Sequence, residues 1–399
     1  MEQTWRWFGP DDVVKISDIC QTGATGVVTS LHHIPYGEVW TVDEIRKRQK
    51  QIADDSRGAL SWSVVESLPV SDAIKLGEGD LEADFGNYRQ SLRNLAACGI
   101  TTICYNFMPV IDWTRTDLSV PLPGGARTLR FDVVKCAAFD CFILKRRGAE
   151  DDYGSGVVDD ARRWIDASTL QQRSELFRSI MVGLPGAFKR YEIDEFSDIL
   201  KVFSGLGRNG LLANLRRFLK EVVPTAEEVG ARLAIHPDDP PRPLFGLTRA
   251  IVDAESLDHA VTSCPSPSNG ITLCTGSLGA GRQNDLSAIA RRFAGHIHFA
   301  HLRNVKKEPN GSFNEAPTLE GDVDMPDIVE TLLGEQEVRQ RAGRTDWRIP
   351  FRPDHGQELL DDIGKATHPG YPAIGRLKGL AELRGVISGI SHARRRRES

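Results

Sequence analysis

The chain has 399 residues, 40% of them hydrophobic and 26% charged, with a formal net charge of -5. That length admits one large barrel carrying insertions, while an ordinary composition with a mildly negative charge excludes a general attraction to nucleic acid or anionic membrane. Seven cysteines, an odd number without a paired C-x-x-C, argue against a disulfide framework and against a paired-cysteine zinc motif.

The N-terminal run MEQTWRWFGPDDVVK lacks a basic stretch followed by an apolar one, and no run approaches the ~20 apolar residues of a bilayer span. A cytoplasmic protein with small-molecule partners is therefore expected. The first β-rich run is ATGVVTSLHHIP, followed by TVDEIRKRQKQIADD, where Thr41 and Glu44 have capping-box spacing. A second unit pairs the strand LSWSVVESLP with the helix DFGNYRQSLRNLAACG, in which Tyr88, Leu92 and Leu95 recur at helical intervals. ITTICYNFMPV is a third strand.

Over residues 111–224 the alternation gives way to charged, helix-like sequence, read as a helical insertion or lid within one domain spanning 1–399. Strand-like runs resume at Leu233, Ile271, Ile297 and Trp347, with helix-like DLSAIARRFAG and MPDIVETLLGEQEVRQRAG between them. AIGRLKGLAELRGVISGI closes the pattern. Alternating strands and helices predict a parallel sheet. No glycine-rich turn follows the first strand, which favours a (β/α)8 TIM-type barrel over an open doubly wound sheet. Its weakest strand is placed near GYPAIG.

Four of these strand ends carry reactive groups: His236 in RLAIHPDDPP, Cys274 in ITLCTG, His301 in HIHFAHLRN and Asp354 in FRPDHG. A lone histidine after a strand is ordinarily structural, and a lone cysteine is ordinarily a small buried hydrophobe. Four unrelated strands ending this way in one barrel point instead to a shared ion. Two imidazoles, a thiolate and a carboxylate suit a divalent transition metal. Within HIHFAHLRN, His301 lies nearest the strand end, with Ile297 and Phe299 on its face, and His296 and His298 are expected to be structural. His355 is left free for proton transfer. At the first β-rich run, one of His32 and His33 should face the barrel mouth and orient substrate, and Arg303 could clamp a substrate carboxylate.

The runs WRWFGPDDVVKISDICQTGATGVVTSLHHIPYGEVW, LAIHPDDPPRPLFGLTRA, FRPDHG and HPGYPAIGRLKGLAELRG closely resemble the mannonate dehydratase family of hexuronate catabolism, across essentially the whole chain. The resemblance implies a xylose-isomerase-like barrel and dehydration of D-mannonate to 2-keto-3-deoxy-D-gluconate. It also implies manganese, with iron as the alternative, bound at His236, Cys274, His301 and Asp354. Tyr371 matches a tyrosine that acts beside the metal-site aspartate. Family members often carry His or Arg directly after the RPDHG run, where this chain has Gln357. Tyr371, His355 and Asp354 are the proton-transfer candidates, with Tyr371 and His355 preferred as the acid/base pair. A homo-oligomer is expected. The rival readings are another metal-dependent barrel enzyme, an isomerase or phosphodiesterase, and a nucleic-acid-binding protein on the strength of the basic tail SHARRRRES.

Overall fold

In the computed structural model, which describes residues 1–183 and 191–398, eight parallel strands close on one another. They are β1 (Glu2–Arg6), β2 (Gly26–Thr29), β3 (Ser61–Glu66), β4 (Thr102–Tyr105), β5 (Arg232–Ile235), β6 (Asn269–Cys274), β7 (Ile297–His301) and β8 (Pro350–Arg352). Neighbours in the barrel follow chain order, and β1 pairs with β8 to close it. Strands β2 to β8 are the seven apolar runs of the sequence, buried on both faces as parallel strands under helices must be.

The remaining strand is not near GYPAIG, which leads into and begins the helix Ala373–Glu398. It is the N-terminal EQTWR. Thr4 and Arg6 are buried there while Trp5 joins the core between barrel and helices, so polar residues at every second position interrupt the apolar run that marks the other strands.

The outer helices are Ile16–Gln21, Val42–Ser56, Leu81–Ala97, Arg208–Glu228, Ala254–Ser263, Leu286–Phe293, Met325–Arg341 and Ala373–Glu398. Several start on an aspartate that accepts a bond from the backbone N–H three residues on, as Asp80, Asp253, Asp285 and Asp324 do. Thr41 likewise caps Val42–Ser56 through Glu44 N. The expected capping box is not completed by Glu44, whose carboxylate meets His33 Nε2 at 2.8 Å instead.

Residues 111–224 are not uniformly helical. They open with antiparallel strands Asp117–Pro121 and Arg127–Phe131, which join Asn304–Lys307 and Phe313–Ala316 in a second, four-stranded sheet. Helices Val133–Ala138, Ser155–Ala167, Leu170–Ile180 and Ile193–Ser204 follow, and residues 184–190 of this predicted insertion lie outside the described residues. The boundary placed at Pro224 falls inside Arg208–Glu228, which buries Leu211, Leu215, Phe218, Leu219 and Val222 in the barrel's outer core. Proline breaks an isolated helix, but this much buried apolar surface holds the helix through it.

Inside the barrel, Val28, Val64, Cys104, Ala234 and Phe299 form an apolar layer separating its two ends. No disulfide joins any of the seven cysteines, and among the described residues no helix is long and apolar enough to cross a membrane. The basic tail continues the last helix. Arg394 is tied to Glu337 at 2.9 Å and to the Glu330 carbonyl at 2.9 Å, and the Arg397 side chain lies outside the described residues.

Candidate metal centre and active site

Barrel geometry sends residues at the C-terminal ends of the strands toward one mouth. Cys274 and His301 are the last residues of β6 and β7, and His236 directly follows β5. Their ligand atoms all lie within 4.8 Å of one another. His236 Nδ1 faces the Pro237 carbonyl at 2.7 Å, a contact it makes as a donor, so Nε2 presents a lone pair inward. That nitrogen stands 3.0 Å from His301 Nδ1, which Arg352 Nη2 approaches at 3.5 Å. Arginine only donates, so two imidazole lone pairs face each other beside a sulfur, the arrangement a cation relieves. Cys274 Sγ accepts from Ser277 N at 3.4 Å.

Asp354 stands at the edge of this cluster, 3.8 Å from Cys274 Sγ and 3.9 Å from His301 Nδ1. Its backbone is left-handed, with φ +57°, a strained choice for aspartate that turns the carboxylate back over the mouth. Arg352 grips its Oδ1, Arg303 Nε lies 2.6 Å from Oδ2, and the Tyr371 hydroxyl donates to Oδ1 at 3.4 Å. Burial opposes ionisation of Asp354, but the Arg352 and Arg303 guanidinium groups outweigh it and hold the carboxyl well below the usual range.

Around this group runs a buried lattice of alternating charge. Arg352 binds Glu66 with two bonds of 2.6 and 2.9 Å. Arg115 bonds Asp239 at 2.8 and 3.2 Å and Glu315 at 2.6 Å, and Arg303 contacts the same two carboxylates. His355 Nδ1 lies 3.1 Å from Glu315 Oε1, and its ring meets those of Tyr371 and Trp113 edge-on. Burial first, then Arg303, lowers the His355 pKa. Burial raises that of Tyr371 against the pull of Arg352. At neutral pH the imidazole is therefore a free base and the phenol a proton donor.

The structure thus gathers His236, Cys274, His301, Asp354, His355 and Tyr371 at one mouth. The substrate-orienting candidates fare differently. His33 turns to solvent and pairs with Glu44. His32 sits 3.5 Å from Arg6 Nη2 against Phe8, away from the small cavity of about 30 Å3 that Glu66, Asp112, Trp113, His236, Asp354 and Tyr371 help to line. Arg303 also lines that cavity, with its guanidinium already held by Asp239, Glu315 and Asp354. Ile297 leaves the face of His301, because a register shift between β6 and β7 puts it in the outer core while Phe299 stays inside. Gln357 is buried with its Nε2 unbonded.

Sequence reading passed over Glu66, Arg352, Arg115, Asp239 and Glu315. Glu66 and Arg352 end β3 and β8 and could have been found by the same strand-end criterion. Glu315 comes from the second sheet and Arg115 from the segment just before its first strand, and nothing in their local sequence marks them.

A family model of D-mannonate dehydratase (UxuA) matches residues 1–397. The chain belongs to the mannonate dehydratase family. The mannonate dehydratase of Chromohalobacter salexigens is 52% identical over 391 residues, covering 98% of this chain and 99% of that protein. That of Rhizobium meliloti is 49% identical over 396 residues. The crystal structure of mannonate dehydratase from Streptococcus suis serotype 2 superposes with a TM-score of 0.76 at 32% identity, covering 98% of this chain and 94% of that one. Membership makes the chain an enzyme, a dehydratase of the carbon–oxygen hydro-lyase class.

Proposed function

We propose that this enzyme converts D-mannonate to 2-keto-3-deoxy-D-gluconate and water, with a divalent ion held by His236, Cys274, His301 and Asp354. The observation that carries the reading is the convergence of two imidazole lone pairs and a sulfur beside a carboxylate, within reach of an unprotonated His355 and a protonated Tyr371. Manganese is the expected ion and iron the alternative. Such an ion supplies Lewis-acid stabilisation of the negative charge that gathers on the substrate carboxylate as C2 loses its proton.

The chain's own groups handle the protons. The C2 hydrogen is weakly acidic and the C3 hydroxyl leaves poorly, so both need positioned partners. Glu315 fixes the His355 tautomer with Nδ1–H toward it, leaving Nε2 to take the C2 proton. Tyr371 gives its proton to the C3 oxygen as that bond breaks, releasing water and an enol that tautomerises to the ketone. Arg352 and Arg303 hold Asp354 ionised and oriented throughout.

The segment after β4 is read as the cover of the site, since Met108, Asp112 and Trp113 line its cavity. The same reading carries an aldonate as partner rather than nucleic acid or membrane, a cytoplasmic setting and a homo-oligomeric assembly. The test is turnover of D-mannonate by chelator-stripped enzyme with Mn2+ or Fe2+ added back, followed by 2-keto acid release. Recovery on metal addition is expected. Full activity after complete stripping removes the ion from the scheme, and no 2-keto acid under any metal sinks the reaction.

A further inference from the structure

A cavity of about 540 Å3 lies at the opposite end of the barrel from the metal cluster. Its strand residues sit near strand beginnings: Glu2, Ser63, Thr102, Arg232, His298 and Pro350. The apolar layer of Val28, Val64, Cys104, Ala234 and Phe299 separates it from the catalytic mouth, so substrate held beside Asp354 does not reach it.

His298 is the unusual group here. Its side chain lines the cavity and is 2% exposed, yet neither ring nitrogen has a hydrogen-bond partner. Buried polar atoms are nearly always paired, so two orphans on the ring of a residue that lines a polar cavity leave hydrogen-bonding capacity for a bound group. Gly270 on the neighbouring strand makes room for the ring, because a Cβ there would strike it.

The charge of the wall selects the ligand. Arg339 is matched by Glu335 at 2.7 Å, and Asp346 by Arg344 at 2.7 Å. Arg232 donates to Thr101 Oγ1 at 3.1 Å but, like Arg348 at the rim, has no ion-pair partner among the described residues. Glu2, which accepts from Ser63 Oγ at 2.6 Å, and Asp346, which acts on Arg232 through space, are the opposing carboxylates. Burial first, then Arg339 and Arg232, pushes the His298 pKa well below its ordinary value, as a positive surrounding field does. Water fills any polar cavity of this size, but the lining still carries three arginines, Arg232, Arg339 and Arg348, against two carboxylates, Glu2 and Asp346, in a recess that focuses their field.

We propose that the N-terminal mouth of the barrel is a second ligand site, for a small oxyanion, phosphate or carboxylate, held by Arg232, Arg348 and a donated His298 N–H. The test is calorimetric titration of the metal-loaded enzyme with inorganic phosphate and, separately, succinate, alongside Arg232→Gln, Arg348→Gln and His298→Gln. Saturable binding of either anion is expected. It should weaken by about tenfold in each variant, the loss of one charge-assisted hydrogen bond, while mannonate turnover without added anion stays unchanged. Phosphate preference over succinate, or the reverse, identifies the oxyanion. Arg348 is exposed, so its variant keeps the comparison available if an inner one fails to fold. Absence of saturable binding by both anions overturns the site. So does binding at full affinity in the variants that fold, which would place the anion at the metal end.

Discussion

Cys274 and Tyr371 separate chemistry from packing most sharply at the residue scale. Cys274→Ser replaces a sulfur ligand by a hydroxyl that stays protonated at neutral pH. Metal affinity is expected to fall by more than the roughly 10–100-fold that outer-shell changes cost, with activity falling alongside it. Elemental analysis showing full occupancy would return Cys274 to a structural role. Tyr371→Phe keeps the ring's contacts with Phe8 and His355 and removes only the hydroxyl. Metal content should persist while turnover drops roughly 10²–10⁴-fold with little change in substrate affinity. Near-normal turnover would transfer the acid role elsewhere. The proposed metal donors stood out in the sequence because each ends or closely follows an apolar strand. The arginines and acids that orient them did not, since a charged residue bears no local sign of the partner that will neutralise it across the fold. Arg115 and Glu315 are 200 residues apart in sequence.

At the scale of the element, legibility followed the apolar run. Strands β2 to β8 carry one, whereas β1 alternates polar with apolar and the hairpins of the second sheet are short and half-buried. Strand β7 shows what a run alone omits. The register shift against β6 leaves His298 at one end of the barrel and His301 at the other, so two histidines of one strand face different surroundings. His301→Asn should abolish metal retention. His298→Asn should leave it intact and change stability by about 1–3 kcal/mol, the range of ordinary buried substitutions. Metal loss in His298→Asn with retention in His301→Asn would show that the wrong histidine has been assigned to the ion.

For the whole molecule, the buried charges make stability depend on pH in a way that can be signed. Burial opposes ionisation of Glu66, Asp239 and Glu315, but arginines outweigh it and lower all three pKa values. Their stabilisation is complete above the unfolded carboxylate values of about 4 and is lost as pH falls below them. Asp238 runs the other way. Burial pushes it up to about 6 against the pull of Arg249, so it adds stability as pH falls from about 6 toward 4. His298 has a folded pKa well below its unfolded value of about 6.5. Its contribution is present above that value and is lost as pH falls, because the unfolded imidazole takes up a proton that the folded one refuses. In metal-free protein, the stability difference between the parent chain and His298→Asn isolates this term from the opposing one of Asp238. That difference should be constant above about pH 7. Below about pH 6.5 it should shift against the parent by up to about 1.4 kcal/mol per pH unit, as denaturant unfolding at a series of pH values would record. A difference that stays flat from about pH 7.5 to 5 would mean that the folded imidazole protonates as readily as the unfolded one, and that the field at the barrel's N-terminal end is not positive.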